Sequence, residues 1–240
     1  VSDTRPIIEI DRLVKTFGFL PVLRQVSLSI PRGQFVALLG ANGSGKSTLL
    51  RLIAGLIKPG EGEIRVGGWL IPAEAAAVRP QIGMVSHKAL LYDNLTAREN
   101  LRFYARLYNL PADQAEARIQ ELLQQVGLWK RGESLVRTFS RGMQQRLSIA
   151  RALLHNPHVL LFDEPHTGLD QEAGAALDAL LQSAHAAGHT IIMTTHELDR
   201  AARLAERAII IHRGKVAYDA ATTPALPVLY REITGTAPTP

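Results

Sequence analysis

Apolar and polar residues alternate along Ile7–Phe17 and Val26–Ile30, the pattern of strands buried on one face. At Phe35–Leu39 the alternation stops. Five apolar residues run together there, as in a strand covered on both faces of a sheet, with Pro31-Arg32-Gly33 marking the turn before it. A glycine-rich stretch follows, and then the spacing predicts a helix from about Lys46 to Ile57, stopped by Pro59-Gly60. Glu63–Val66 and Ile82–Ser86 read as short strands. From Thr96 to about His155 the period becomes helical: Leu101, Tyr104, Ala105 and Tyr108 share one face, as do Ile119, Leu122, Leu123 and Val126, with Pro111 and Gly127 as punctuation. Strands return at Val159–Phe162, Thr190–Met193 and Ala208–Ile211, each after a helix-like stretch. This order predicts an α/β chain with a largely parallel sheet, helices on both its faces, and a disordered tail from Thr234 to Pro240.

Composition narrows the picture. A chain of 240 residues with 46% hydrophobic and 20% charged positions can build one large α/β domain, with room for a smaller inserted subdomain. There is no cysteine, which excludes disulfides and thiolate metal sites. No apolar run is long enough for a bilayer span and the first residues lack a signal-peptide core, so the chain is expected not to cross a membrane by itself. The net charge of +5 raises a nucleic-acid reading. The basic residues are scattered, and 5% aromatics make a poor base-stacking platform, so no nucleic-acid partner is expected.

The glycine-rich stretch carries the strongest chemistry. Gly40, Ala41, Asn42, Gly43, Ser44, Gly45, Lys46, Ser47 and Thr48 match the spacing of a nucleotide phosphate loop between a buried strand and a helix. Glycines permit the backbone angles that turn successive N–H groups inward on a β-phosphate. The helix N-terminus adds positive potential, Lys46 would bridge β- and γ-phosphates, and Ser47 would bind Mg²⁺. Chance would produce the four fixed positions in such a chain with a probability on the order of one in a hundred. ATP with Mg²⁺ is therefore the expected ligand.

A second apolar strand, Val159–Phe162, ends in Asp163 and Glu164. Asp163 is placed to hold Mg²⁺ through water, and Glu164 to polarise an attacking water as general base; two solvated carboxylates opening a turn before Pro165 are the rival reading. His196 follows the strand Ile191–Met193 at the edge where ligands bind in such sheets, where it could hold the water against Glu164.

Between these sites stands Phe139-Ser140-Arg141-Gly142-Met143-Gln144-Gln145-Arg146-Leu147, and Thr167-Gly168-Leu169-Asp170 follows the carboxylates. With the phosphate loop, this set resembles the nucleotide-binding subunit of an ABC transporter, over about Ile7 to Asp219. The resemblance implies a P-loop NTPase (RecA-like) core with an N-terminal antiparallel β-subdomain and an inserted α-helical subdomain. It divides the single domain 1–240 into a core at 1–87 and 156–219, a helical part at 88–155 and a tail at 220–240. It implies ATP hydrolysis in a head-to-tail homodimer, with Ser140 and Gly142 of one copy on the ATP of the other and Asp170 reporting across the dimer. It also implies an integral-membrane permease as partner, and a cytoplasmic location peripheral to the inner face of the cell membrane. Phe17 matches the aromatic that stacks on adenine, with a core aromatic as the alternative.

The chain departs from the family pattern in two places, the signature segment and position 87. Arg141 and Met143 replace signature residues, while Ser140 and Gly142 are kept. His87 stands where the family places glutamine, the residue linking Mg²⁺ and its water to the loop that touches the membrane subunits. A neutral imidazole can accept from a metal-bound water, which would make the role sensitive to pH. His87, the Leu90–Leu101 stretch and the signature form are similar to the haem-exporter (cytochrome c maturation) subfamily. Drug and antibiotic exporters share that signature form, and a soluble ABC ATPase remains the alternative from another functional class.

Overall fold

The computed structural model describes residues 5–86 and 89–235. The alternating N-terminal segments pair as antiparallel β1 (Ile8–Phe17) and β2 (Leu20–Ile30), with Ile8 opposite Ile30 and Ile10 opposite Leu28. Apolar β3 (Phe35–Leu39) leads through the glycine-rich loop into α1 (Lys46–Ile53). That helix is a turn shorter than its spacing predicts, because Gly55 adopts a left-handed φ of 65° and ends it before Pro59. Next come β4 (Glu61–Val66), β5 (Trp69–Ile71), the short α2 (Ala75–Val78) and β6 (Ile82–Val85). The helical block resolves into α3 (Ala97–Leu107), α4 (Ala112–Gln125) and α5 (Arg141–Leu153), with turns over 126–140. The remainder alternates: β7 (Val159–Asp163), α6 (Gln171–Ala186), β8 (Thr190–Thr194), α7 (Leu198–Leu204), β9 (Arg207–His212), β10 (Lys215–Ala221) and α8 (Leu226–Thr234).

Two sheets result. The first is antiparallel with strand order β2-β1-β4-β5; the second runs β10-β9-β3-β8-β7-β6, parallel except for the β10 edge. β3 shows why an unbroken apolar run was needed. Phe35, Ala37 and Leu39 join the helical side of the core, while Val36 and Leu38 join the side that packs against α1 and the antiparallel sheet. The helical block is continuous with the first of these clusters through Leu101, Ile119, Leu123 and Leu147, all fully buried. Thr96 starts α3 with a capping box to Glu99.

Strands β5 and β10 and helix α8 were not anticipated. β5 is three residues long and β10 is an edge strand without a buried residue, so neither has much of an apolar signature. The segment expected as a tail contains α8, with Pro227 in the first turn and Leu226 and Tyr230 buried against the core. Of the expected disordered segment, Thr234 and Gly235 are described; the rest lies outside the described residues.

Candidate functional site

The parallel sheet brings the chemistry to one edge. β3, β8 and β7 are neighbours in that order, with Leu38 paired to Thr194 and Thr194 paired to Asp163. The loop after β3, the carboxylates ending β7 and the histidine after β8 therefore emerge side by side, at the carboxyl ends of the strands where open α/β sheets bind ligands.

The loop at 40–48 is tightly built. A Cβ on Gly40 would meet the carbonyl oxygen of Ile211 at 2.3 Å and Ser44 Oγ at 2.5 Å, and its φ of 149° is one that other residues avoid. Gly43 at the tip has only open space beyond it. Ser44 Oγ is buried without a hydrogen-bond partner among the described residues, a group left over for a ligand. Lys46 is 5% exposed and donates through Nζ to the carbonyls of Gly40 at 2.7 Å and Ala41 at 3.1 Å. Burial pushes its ammonium below the ordinary lysine range, opposed by the nearby carboxylates of Glu164 and Asp163. Ala41, Asn42 and Thr48 complete the loop as partly or fully exposed residues.

Ser47 Oγ donates to Asp163 Oδ1 at 2.9 Å, joining two hard oxygen ligands of the kind Mg²⁺ prefers. That donor set and the open loop tip fit a phosphate-bound Mg²⁺. Thr194, fully buried, donates to the same Asp163 oxygen at 2.8 Å and accepts from the backbone N–H of Glu164 at 2.9 Å. Sequence reading missed this threonine; its signal was a polar residue closing an apolar strand. Glu164 has φ 52°, a left-handed conformation unfavourable for a residue with a side chain. It turns the carboxylate away from the strand and onto His196, whose Nε2 lies 2.7 Å from Glu164 Oε1. A carboxylate only accepts, so Nε2 carries the proton.

Other candidate residues sit apart from this group. Phe17 is 49% exposed, with Lys15 Nζ 5.0 Å from its ring centroid, so it is not a core aromatic. Ser140 caps α5, its Oγ accepting from the N–H of Met143 at 3.3 Å. Gly142 faces Ala173 and Leu169 at the start of α6, and Asp170 caps α6 by accepting from Ala173 at 2.8 Å. The contacts of Ser140 and Gly142 are thus with α5 and α6 rather than with the phosphate loop of their own chain. Arg141, one of the residues that depart from the signature, lays its guanidinium over Gly168, where a Cβ would lie 2.5 Å from Nη1. His87 lies outside the described residues.

Residues 23–167 match the family model described as ABC transporter. The chain is 35% identical over 210 residues to the linearmycin resistance ATP-binding protein LnrL of Bacillus subtilis, covering 88% of this chain and 68% of that protein. It is 38% identical over 210 residues to the Nod factor export ATP-binding protein I of Ralstonia nicotianae, covering 88% and 65%. The chain thus spans about two thirds of the length of both relatives. Among solved structures it is similar to a dimeric ATP-binding cassette in a post-hydrolysis state bound to ADP and Pi, with TM-score 0.81, 31% identity, and coverage of 90% of this chain and 99% of that one. It is also similar to CbiO1 of Clostridium perfringens, part of the ABC transporter complex CbiONQ, with TM-score 0.83, 27% identity, and coverage of 91% and 89%. A phosphate loop, a strand-end carboxylate pair and a signature helix on this fold, with these relatives, make the chain an ATP-hydrolysing member of the ABC transporter family.

Proposed function

We propose that this chain is the ATPase subunit of an exporter, hydrolysing ATP between two copies of itself and driving a separate membrane permease. The observation that carries the chemistry is the Glu164–His196 pair, 2.7 Å apart at adjoining strand ends beside the phosphate loop.

On this reading backbone N–H groups of 40–48 bind the phosphates, and Lys46 exchanges its two loop carbonyls for β- and γ-phosphate oxygens. Ser47 and Asp163 would hold Mg²⁺, which neutralises phosphate charge when bound. Glu164 accepts the proton of the attacking water as general base. His196 donates to Oε1, which fixes the carboxylate's rotamer and leaves the second oxygen, Oε2, for the water. Phe17 stacks on adenine, and its exposure keeps a face available. Ser140, with its hydroxyl proton left free to donate after capping, and Gly142 at the N-terminus of α5 act on the partner copy's γ-phosphate. Asp170, on the next helix start, lies in the same interface.

A permease partner is supported by the family and by a groove of about 570 Å³ between the two parts of the fold, lined among others by Leu56, Met84, Tyr104 and Tyr108 with Arg51 and Arg79. Arg151 braces its floor, donating to the carbonyls of Met84 at 2.7 Å and Leu90 at 3.1 Å. No helix among the described residues is long and apolar enough to cross a membrane, so on this reading the subunit sits peripherally, on the inner face. Names that speak of linearmycin resistance and Nod factor export favour a drug or antibiotic exporter over the haem exporter that His87 and the signature form suggested. Loss of antibiotic resistance in a deletion strain, with normal cytochrome c, would support the first; the reverse result would restore the second.

The test of the chemistry is Glu164→Gln. It should run as a dimer on size-exclusion chromatography in the presence of ATP, with turnover abolished. A variant that stays monomeric and hydrolyses ATP at the wild-type rate would falsify the assignment. Co-purification with a multi-span membrane protein tests the transport reading against a soluble ABC ATPase.

A further inference from the structure

We propose that His166, Asp178, Arg200 and Glu197 form a positioning network that sets the separation of the Glu164 and His196 loops, with His166 as its anchor on the Glu164 side. The inference rests on the reading of Glu164 and His196 as the working pair.

The contacts close into a ring. His166, two residues beyond Glu164, places Nε2 2.8 Å from Asp178 Oδ1 on α6. Asp178 also receives Arg200 Nε at 3.2 Å and Arg203 Nη2 at 3.2 Å, both from α7. Arg200 Nη1 reaches back to Glu197, the residue after His196. His196 then returns to Glu164. The Glu164 and His196 segments, which already meet at the Glu164 N–H to Thr194 Oγ1 bond and at the Glu164–His196 pair, are thus tied again through α6.

Packing alone does not account for this ring. The His166 side chain is 3% exposed, and its Nδ1 is buried with no partner among the described residues. Burial and the Arg200 charge push the imidazole below its ordinary pKa, against the pull of Asp178. It is therefore neutral, with its one proton on Nε2 facing the carboxylate. An apolar residue would fill the space without stranding a nitrogen, so the retained feature is the hydrogen bond. The opposite wall is shaped to match. Gly174 stands inside α6, where alanine is the better helix former, and a Cβ there would come within 3.0 Å of Arg200 Nη2.

A tether is needed because the loop between has little regular structure of its own: Glu164 and Gly168 both have positive φ, and the next helix begins only at Gln171. Misplacing a general base by about 1 Å costs on the order of a hundredfold in rate. His166 is thus a positioning residue: it acts through Glu164 and does not touch ATP.

The experiment compares ATP turnover of His166→Phe, His166→Gln and Arg200→Gln in the full chain. His166→Phe and Arg200→Gln should each lower kcat by about ten- to a hundredfold, with KM for ATP within about twofold. His166→Gln, which restores an N–H donor near the Nε2 position, should recover kcat to within about threefold. A second readout needs no turnover. The pH titration of the His196 imidazole by NMR should shift in His166→Phe and Arg200→Gln and stay near wild type in His166→Gln. Normal kcat together with an unmoved His196 titration in His166→Phe and Arg200→Gln would overturn the proposal, as would a loss that Gln does not rescue. Glu164→Gln and His196→Ala run alongside: wild-type turnover in both would sink the assignment of the pair itself, a different failure from that of the network.

Discussion

Replacing Thr194 by valine isolates one hydroxyl at the centre of the site. Valine keeps the volume and the β-branch, so the packing of β8 and its strand preference are preserved. Two hydrogen bonds go. The bond to Asp163 is one to a charged group, worth about 1.5–3 kcal/mol, and the Glu164 N–H left without its acceptor costs about 1–3 kcal/mol. Asp163 keeps Ser47 as a donor, which places the sum toward the lower end, at about 3 kcal/mol. In a chain of 240 residues each kcal/mol lowers Tm by about 2–4 °C, so Thr194→Val should melt about 6–12 °C below wild type. Thr194→Ser retains both bonds and loses one methyl group, about 1 kcal/mol or about 2–4 °C. Differential scanning calorimetry of the three proteins without nucleotide gives the answer. If Val melts within 2 °C of Ser, the hydroxyl does not hold the two carboxylate residues as described.

Other predictions concern single positions. Gly40→Ala forces a methyl onto the Ile211 carbonyl, so ATP affinity should fall at least tenfold in a fluorescent-nucleotide titration; an unchanged Kd would mean the loop adapts freely. Phe17→Ala should weaken ATP binding by about 1–3 kcal/mol, roughly five- to 150-fold, while leaving Tm within a few degrees because the ring is half exposed. His155 is stacked on Tyr108 with centroids 3.8 Å apart; burial, aided by Arg151 and opposed by a bond to the Ile82 carbonyl, lowers its pKa to about 4. The neutral ring suits the fold above about pH 6.5. Between pH 6.5 and 4 the unfolded chain takes up the proton and the folded one does not, so stability falls as pH drops through that window, by about 2 kcal/mol from pH 7 to pH 5. Urea midpoints of wild type and His155→Leu across that range should diverge by this amount; parallel curves would contradict it.

Much of this was legible before any coordinates. The buried strands β3, β7, β8 and β9 announce themselves because burial on both faces demands unbroken apolar runs, and the phosphate loop because its backbone requires glycine at fixed spacing. Edge strand β10 and short β5 were illegible for the converse reason: with little burial, nothing restricts their residues. Helix α1 ended early because a left-handed Gly55 outweighed the apolar period beyond it. At the site, residue identity pointed to Glu164 and His196, but not to Thr194 or His166. Their significance lies in partners 31 and 12 residues away, which only the register of β7 on β8 and the packing of α6 bring near.

That register gives the site a fixed metric. Its parts sit on three neighbouring strands, β3, β8 and β7, so their separations are multiples of the interstrand distance, about 4.8 Å. A strand cannot drift by a fraction of a residue; a slip of one residue would turn Thr194 and Asp163 to the opposite face. Geometry of this kind is digital. Weakening the sheet should thin the population of competent molecules without blurring the geometry of those that remain, so destabilised core variants should lose specific activity in step with their folded fraction while KM for ATP stays constant.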